Sequence, residues 1–129
     1  MRNLNRRHAL QLALGGAAAS VAVPATAHHG WGWAEDQQST LSGTIKSVSM
    51  APPHPSMYVT AADGEWWIEL GNPNQTQRSG FTEASAKPGD PIVVLGNRHQ
   101  DKSKKHMKAV RITVAGKQFD LYPERIKTN

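Results

Sequence analysis

The chain has 129 residues, no cysteine and a formal charge of +5 at pH 7. The lack of cysteine excludes disulfides, thiolate metal sites and cysteine nucleophiles, so packing has to stabilise the fold. Three of the basic residues precede position 8, and residues 28–129 carry a formal charge of only +2. This weak charge does not favour a nucleic-acid partner.

Residues 1–27 have the pattern of a cleavable export signal. Three arginines come first, residues 9–23 carry no charge, and the signal ends in the small-x-small sequence "ATA". The apolar stretch is shorter than the ~20 residues that span a membrane, so we expect no transmembrane segment after cleavage. An uncleaved membrane anchor is the alternative.

The pair Arg6–Arg7 predicts export by the twin-arginine route, with the general secretory route as the alternative. Both routes predict a periplasmic protein. The working chain would then be residues 28–129, which is the length of one small domain.

Alternation of apolar and polar residues predicts the first three strands. Residues 39–50 alternate with a slip at Lys46–Ser47, which is typical of a long strand with a bulge. Residues 56–61 and 65–70 flank the turn sequence "ADG" and predict a hairpin.

A loop or short helix follows, in which Thr82 is a candidate N-cap for one helical turn. The turn "KPGD" precedes the apolar stretch 91–99, expected to be a strand buried on both faces. Residues 106–116 alternate well, and residues 116–126 add a short last strand. The basic sequence "KHMKAVRI" within this region is interpreted as the solvated face of a strand, with Met107 in the core.

This order predicts an all-β fold, a small OB-like barrel of five to six strands with one short helix or loop between strands 3 and 4. An SH3-like barrel and an open sandwich are the alternatives. No sequence motif indicates a catalytic residue, so we expect a binding module and keep an enzyme as the third hypothesis.

Histidines are the candidate metal ligands. Cleavage after Ala27 would give His28 a free α-amine, which can chelate one metal ion together with its own imidazole. Another histidine would complete a planar nitrogen site suited to copper. The candidate ligands are His28, His29, His54, His99 and His106.

Two further properties of these histidines bear on the copper hypothesis. His99 and His106 flank a loop and are expected to approach each other across a hairpin, and His54 lies in the rigid sequence "PPHP". Cleavage after Ala25 would instead place His28 third in the chain, which also suits square-planar copper or nickel. The alternative is a solvated tail, with His54 as an ordinary turn residue.

Tryptophans are the candidate ligand-binding residues. Trp31 and Trp33 lie two apart and would share one face of a strand, either as a stacking platform or as part of the core. Trp66 and Trp67 are adjacent, so at most one of them is in the core. An exposed tryptophan would favour a peptide, glycan or periplasmic protein partner.

Several segments together resemble one family. The segments are "AHHGWGW", "LSGTIKSV", "PPHPSMYV", "WWIELGNP", "KPGDPIVVLGNRHQD" and "FDLYPERI". They resemble the small exported bacterial proteins of the domain of unknown function 6152 family across essentially the whole of residues 28–129. Where that family has "NPH", this chain has Pro52 in place of the Asn and keeps His54. The resemblance implies an exported small β-domain and assigns no biochemical activity.

Overall fold

A computed structural model describes residues 30–127. The predicted export signal and the candidate ligands His28 and His29 lie outside these residues. The chain divides into two compact units, residues 1–32 and residues 33–129. Of the first unit only residues 30–32 are described, and Trp31 among them is half-buried. Everything below concerns the second unit.

The second unit contains six strands, one α-helix and two 3₁₀ turns among the described residues. The strands are β1 (Ala34–Ser49), β2 (Ser56–Ala61), β3 (Gly64–Glu69), β4 (Pro91–His99), β5 (His106–Val114) and β6 (Lys117–Asp120). The helix α1 spans Pro73–Arg78, and the 3₁₀ turns span Glu83–Ser85 and Pro123–Arg125. None of the described helices is long and apolar enough to cross a membrane.

Five of the strands close into a barrel. The sheet order is β3-β2-β1-β4-β5-β6, and an additional pairing joins β3 to β5. That pairing is parallel and short, with Trp67, Ile68 and Glu69 opposite residues 106–108, while the other pairings are antiparallel. The ring β1-β2-β3-β5-β4, with α1 between β3 and β4, has the order of an OB fold. The predicted fold class is confirmed, and β6 extends the sheet outside the ring.

Strand β1 pairs with both β2 and β4, and its register shifts between Ile45 and Ser47. This bulge confirms the slip predicted at Lys46–Ser47. The strand begins at Ala34, five residues before the predicted start at residue 39. The early part is polar and lacks alternation. It is held instead by the Asn97 side chain, whose amide donates to the backbone carbonyls of Glu35 (2.9 Å) and Asp36 (3.2 Å).

The other predicted strands are present, with one correction. Strand β4 is not buried on both faces: Ile92 and Val94 are buried, but Val93 between them is 42% exposed. The outer face of β4 meets solvent, as is usual in antiparallel sheets. Thr82 precedes a 3₁₀ turn as expected, and its backbone N–H donates to Ser85 Oγ (2.9 Å).

The barrel interior is apolar and closely packed. Trp66, Ile68, Met107, Val110 and Ile112 are each at most 1% exposed. Gly96 of β4 lies against β5 so closely that a Cβ atom there would stand 2.2 Å from the carbonyl oxygen of Lys108. Only glycine permits this approach, which brings the start of β5 close to β4.

Candidate functional site

Three aromatic rings stack on the outside of the barrel, at the β3–β5 seam. Trp67 and His106 are register partners across the seam. Their ring centroids are 4.3 Å apart and their planes differ by 16°. The opposite face of the His106 ring packs on Trp33, with centroids 3.9 Å apart and planes within 13°. The His106 imidazole is therefore held between two indoles.

Trp33 reaches this stack from a turn. The prediction that Trp31 and Trp33 lie on one face of a strand is wrong, because both precede β1 in a bend and turn. The Trp33 carbonyl accepts a hydrogen bond from the backbone N–H of Gln100 (2.9 Å). This bond ties the turn to the end of β4 and sets Trp33 against β5.

His99 joins the same cluster, as the hairpin argument predicted. Its ring centroid lies 5.3 Å from Trp33 and 5.7 Å from His106. The aromatic stack, defined as Trp33, Trp67, His99 and His106, therefore brings together two candidate metal ligands and two candidate ligand-binding tryptophans.

The adjacent tryptophans separate as expected. Trp66 is 1% exposed, and its indole N–H donates to Asp63 Oδ1 (2.8 Å). Trp67 is 37% exposed, and its cross-strand partner Tyr58 is 45% exposed. Trp67 is thus the member of the pair that reaches the surface, beside a second exposed aromatic ring.

Two charged residues beneath the stack were not predicted as site residues. Glu69 and Lys108 are register partners, two positions along from Trp67 and His106 on the same face. Glu69 Oε2 lies 3.7 Å from His106 Nε2, the distance of an ion pair rather than of a direct hydrogen bond. The Lys108 ammonium lies 5.9 Å from the centroid of the Tyr122 ring.

Lys108 corrects the interpretation of "KHMKAVRI" as a solvated strand face, since Lys108 is 1% exposed. The chain after β6 lies along this part of β5, where the Leu121 and Tyr122 N–H groups donate to the Val110 carbonyl. If the parallel pairing had been known, the period-two spacing of strands would have placed both charged residues on the same face as Trp67 and His106.

The charges at this position shift one another's pKa values. Burial raises the pKa of Glu69, but His106 and the positive charges of Lys108 and His54 outweigh burial, so that its pKa lies below the ordinary value. Burial lowers the pKa of Lys108, and the nearby Glu69 carboxylate only partly opposes that effect. The surroundings therefore favour a negative Glu69 and penalise a positive Lys108.

The candidate metal ligands differ in which ring nitrogen they offer. His99 Nδ1 accepts a hydrogen bond from the Asp101 backbone N–H (2.9 Å), so a neutral His99 carries its proton on Nε2 and has no lone pair left for a metal. His106 turns Nε2 to a carboxylate, which favours a proton there and leaves the Nδ1 lone pair available. His54 Nδ1 is buried without a hydrogen-bond partner.

No three histidine, aspartate or glutamate side chains within residues 30–127 form a group that could hold a metal ion.

Fold and site together define the class: a small OB-type barrel with an aromatic–imidazole stack on its β3–β5 seam. The chain belongs to the DUF6152 family, a family of unknown function, whose sequence profile matches residues 17–108. The match includes most of the barrel and confirms the resemblance drawn from the sequence segments. None of the curated proteins compared with the chain matches its sequence.

Solved structures show likeness at low identity. A chain of the Stn1–Ten1 complex from S. pombe is 13% identical, with a TM-score of 0.49, over 60% of this chain and 57% of that one. A ZRD-deleted mutant of TiaS in complex with agmatine is 12% identical, with a TM-score of 0.47, over 60% of this chain and 21% of that one. The chain thus spans well under two thirds of either protein.

Proposed function

We propose that this protein is an exported, periplasmic, non-enzymatic binding module that binds copper through histidines, with the mature N-terminus and His106 as the candidate donors. The observation that carries the proposal is the state of His106. Its ring is fixed between two indoles with Nε2 turned to Glu69, so Nδ1 is the donor nitrogen. Imidazole and amine nitrogens in planar geometry suit copper.

The chain end offers a second set of candidate donors. Cleavage after Ala27 makes His28 the first residue, and its α-amine and imidazole form a chelate. His29 and His54 are the further candidate ligands.

Native mass spectrometry of the protein recovered from the periplasm tests this proposal. We expect a mass that begins at His28 and that gains one copper ion. His28→Ala and His106→Ala should each lose the ion, while His99→Ala, whose Nδ1 is already an acceptor, should keep it. A mature chain that takes up no copper against a mild chelator would contradict the proposal.

A matched variant isolates the α-amine. Producing residues 28–129 with one extra residue before His28 leaves every side chain in place and moves the amine away. Copper affinity should fall as it does in His28→Ala. Unchanged affinity would show that the chelate is not formed by the chain end.

A second function is favoured by the exposed cross-strand pair Tyr58 and Trp67, which would bind a peptide or glycan of an exported partner by stacking. Titrating soluble peptides and oligosaccharides while recording the indole N–H signals by NMR tests it. The Trp67 signal should move, and the Trp66 signal should not, because its N–H is buried against Asp63. If both signals stay in place, the stacking hypothesis fails.

A further inference from the structure

Glu69 faces the same imidazole that the proposed copper site uses. Its Oε2 is 3.7 Å from His106 Nε2, and the two side chains are only 13% and 15% exposed. The two ring nitrogens of histidine point in nearly opposite directions, so the nitrogen that does not face Glu69 points away from the carboxylate. His106 Nε2 is buried with no hydrogen-bond partner. The Glu69 carboxylate lies close enough to stabilise a proton on Nε2 by electrostatic attraction.

Two features keep this arrangement in place. The flanking indoles of Trp33 and Trp67 hold the ring plane, with centroid distances of 3.9 and 4.3 Å. Lys108 is the register partner of Glu69 and is 1% exposed, which places a positive charge beside the carboxylate away from bulk water. The two indoles therefore restrict rotation of the His106 ring, and the positive charge of Lys108 favours a charged Glu69 beside it.

We propose that Glu69 is a positioning residue, which holds the proton of His106 on Nε2 and so makes Nδ1 the free donor nitrogen. A carboxylate behind a metal-bound histidine fixes the tautomer and the ring orientation and raises the basicity of the ligand. The effect on copper rests on the proposed function, whereas the effect on the tautomer does not.

Nitrogen-15 NMR of the metal-free protein tests the tautomer directly, under conditions in which histidine side chains are neutral. In the unaltered protein His106 should show a single tautomer with the proton on Nε2. In Glu69→Gln the two ring-nitrogen shifts should move toward each other, as in a tautomer mixture. His99 is the internal control, because its Nδ1 is held by the Asp101 N–H.

Copper affinity provides the second readout. Glu69→Gln should weaken binding about 10- to 100-fold, measured by competition with a chromophoric chelator. Glu65→Gln is the matched control, since it removes a carboxylate from the same face of β3, where Glu65 pairs with the exposed Lys46 (2.7 Å). Its affinity should stay at the unaltered value.

The outcomes separate the two proposals. If the protein binds no copper but the His106 tautomer responds to Glu69→Gln, the copper function fails and the positioning role stands. If copper binds and both the tautomer and the affinity ignore Glu69→Gln, the positioning role is overturned. Should Glu69→Gln unfold, the double variant Glu69→Gln with Lys108→Met removes the buried ammonium as well and permits the same measurements.

Discussion

At the scale of single residues, the group that dominates the outer site is a buried lysine. Lysine side chains are rarely buried, and Lys108, which is 1% exposed, has a pKa that is lowered mainly by burial. The surroundings favour the charged form of Glu69, its register partner, because the pKa of Glu69 lies below the ordinary value. They disfavour the charged form of Lys108. The stability of this pair therefore depends on both members being present.

We expect Glu69→Gln to lower the free energy of unfolding by about 3 kcal/mol, because it removes the carboxylate whose charge favours the buried Lys108 ammonium. Glu69→Gln with Lys108→Met should recover most of that loss. Urea denaturation of the two single variants and the double variant measures the coupling. Additive effects would show that the two side chains do not interact.

Glu69 also makes the fold sensitive to acid. Because its folded pKa lies below the ordinary value near 4.5, the fold favours the ionised form. The stabilisation is complete above pH 4.5 and disappears as the pH falls through the folded pKa. Urea midpoints measured between neutral pH and about pH 3 should drop more steeply for the unaltered protein than for Glu69→Gln. Parallel curves would contradict this account.

At the scale of elements, strands were predictable where their side chains alternate. Residues 56–61 bury alternate side chains, and residues 106–114 do so after residue 110; both strands were predicted within two residues of their observed ends. The start of β1 has no such pattern. Besides its pairing with β4, it is held by the Asn97 side chain, which is 7% exposed and donates to two backbone carbonyls more than 60 positions away. No local pattern encodes such a bond.

Asn97→Ala should therefore loosen the start of β1. The Glu35 carbonyl loses the Asn97 donor and the Asp36 carbonyl keeps only the Lys127 ammonium, so the expected loss of stability is about 1–3 kcal/mol. Hydrogen exchange of residues 34–38 should rise, and the signals of Trp33 should shift with it. Glu65→Gln is the control, because Glu65 pairs with Lys46 on the surface and makes no contact with this segment through that pair. Exchange that is unchanged in Asn97→Ala would assign the start of β1 to the backbone ladder alone.

At the scale of the whole molecule, the sequence predicted an OB-like order of strands, and the observed ring β1-β2-β3-β5-β4 has that order. The sequence also predicted the approach of His99 to His106, because the two residues flank one hairpin. It did not predict that Glu69 and Trp67 lie against His106. Those contacts depend on a parallel pairing between residues 39 positions apart, which is formed by tertiary closure and leaves no trace in local alternation.

The seam that closes the ring also has a kinetic consequence. Pairings between strands far apart in sequence form late, because the chain must first lose the entropy of a long loop. Trp66 enters the interior with the β2–β3 hairpin, whereas Trp67 gains its imidazole neighbour only when β5 arrives. In a refolding experiment the two adjacent indoles would therefore report two different steps of folding. Trp66 would report the collapse of the chain, and Trp67 would report the final closure that creates the site.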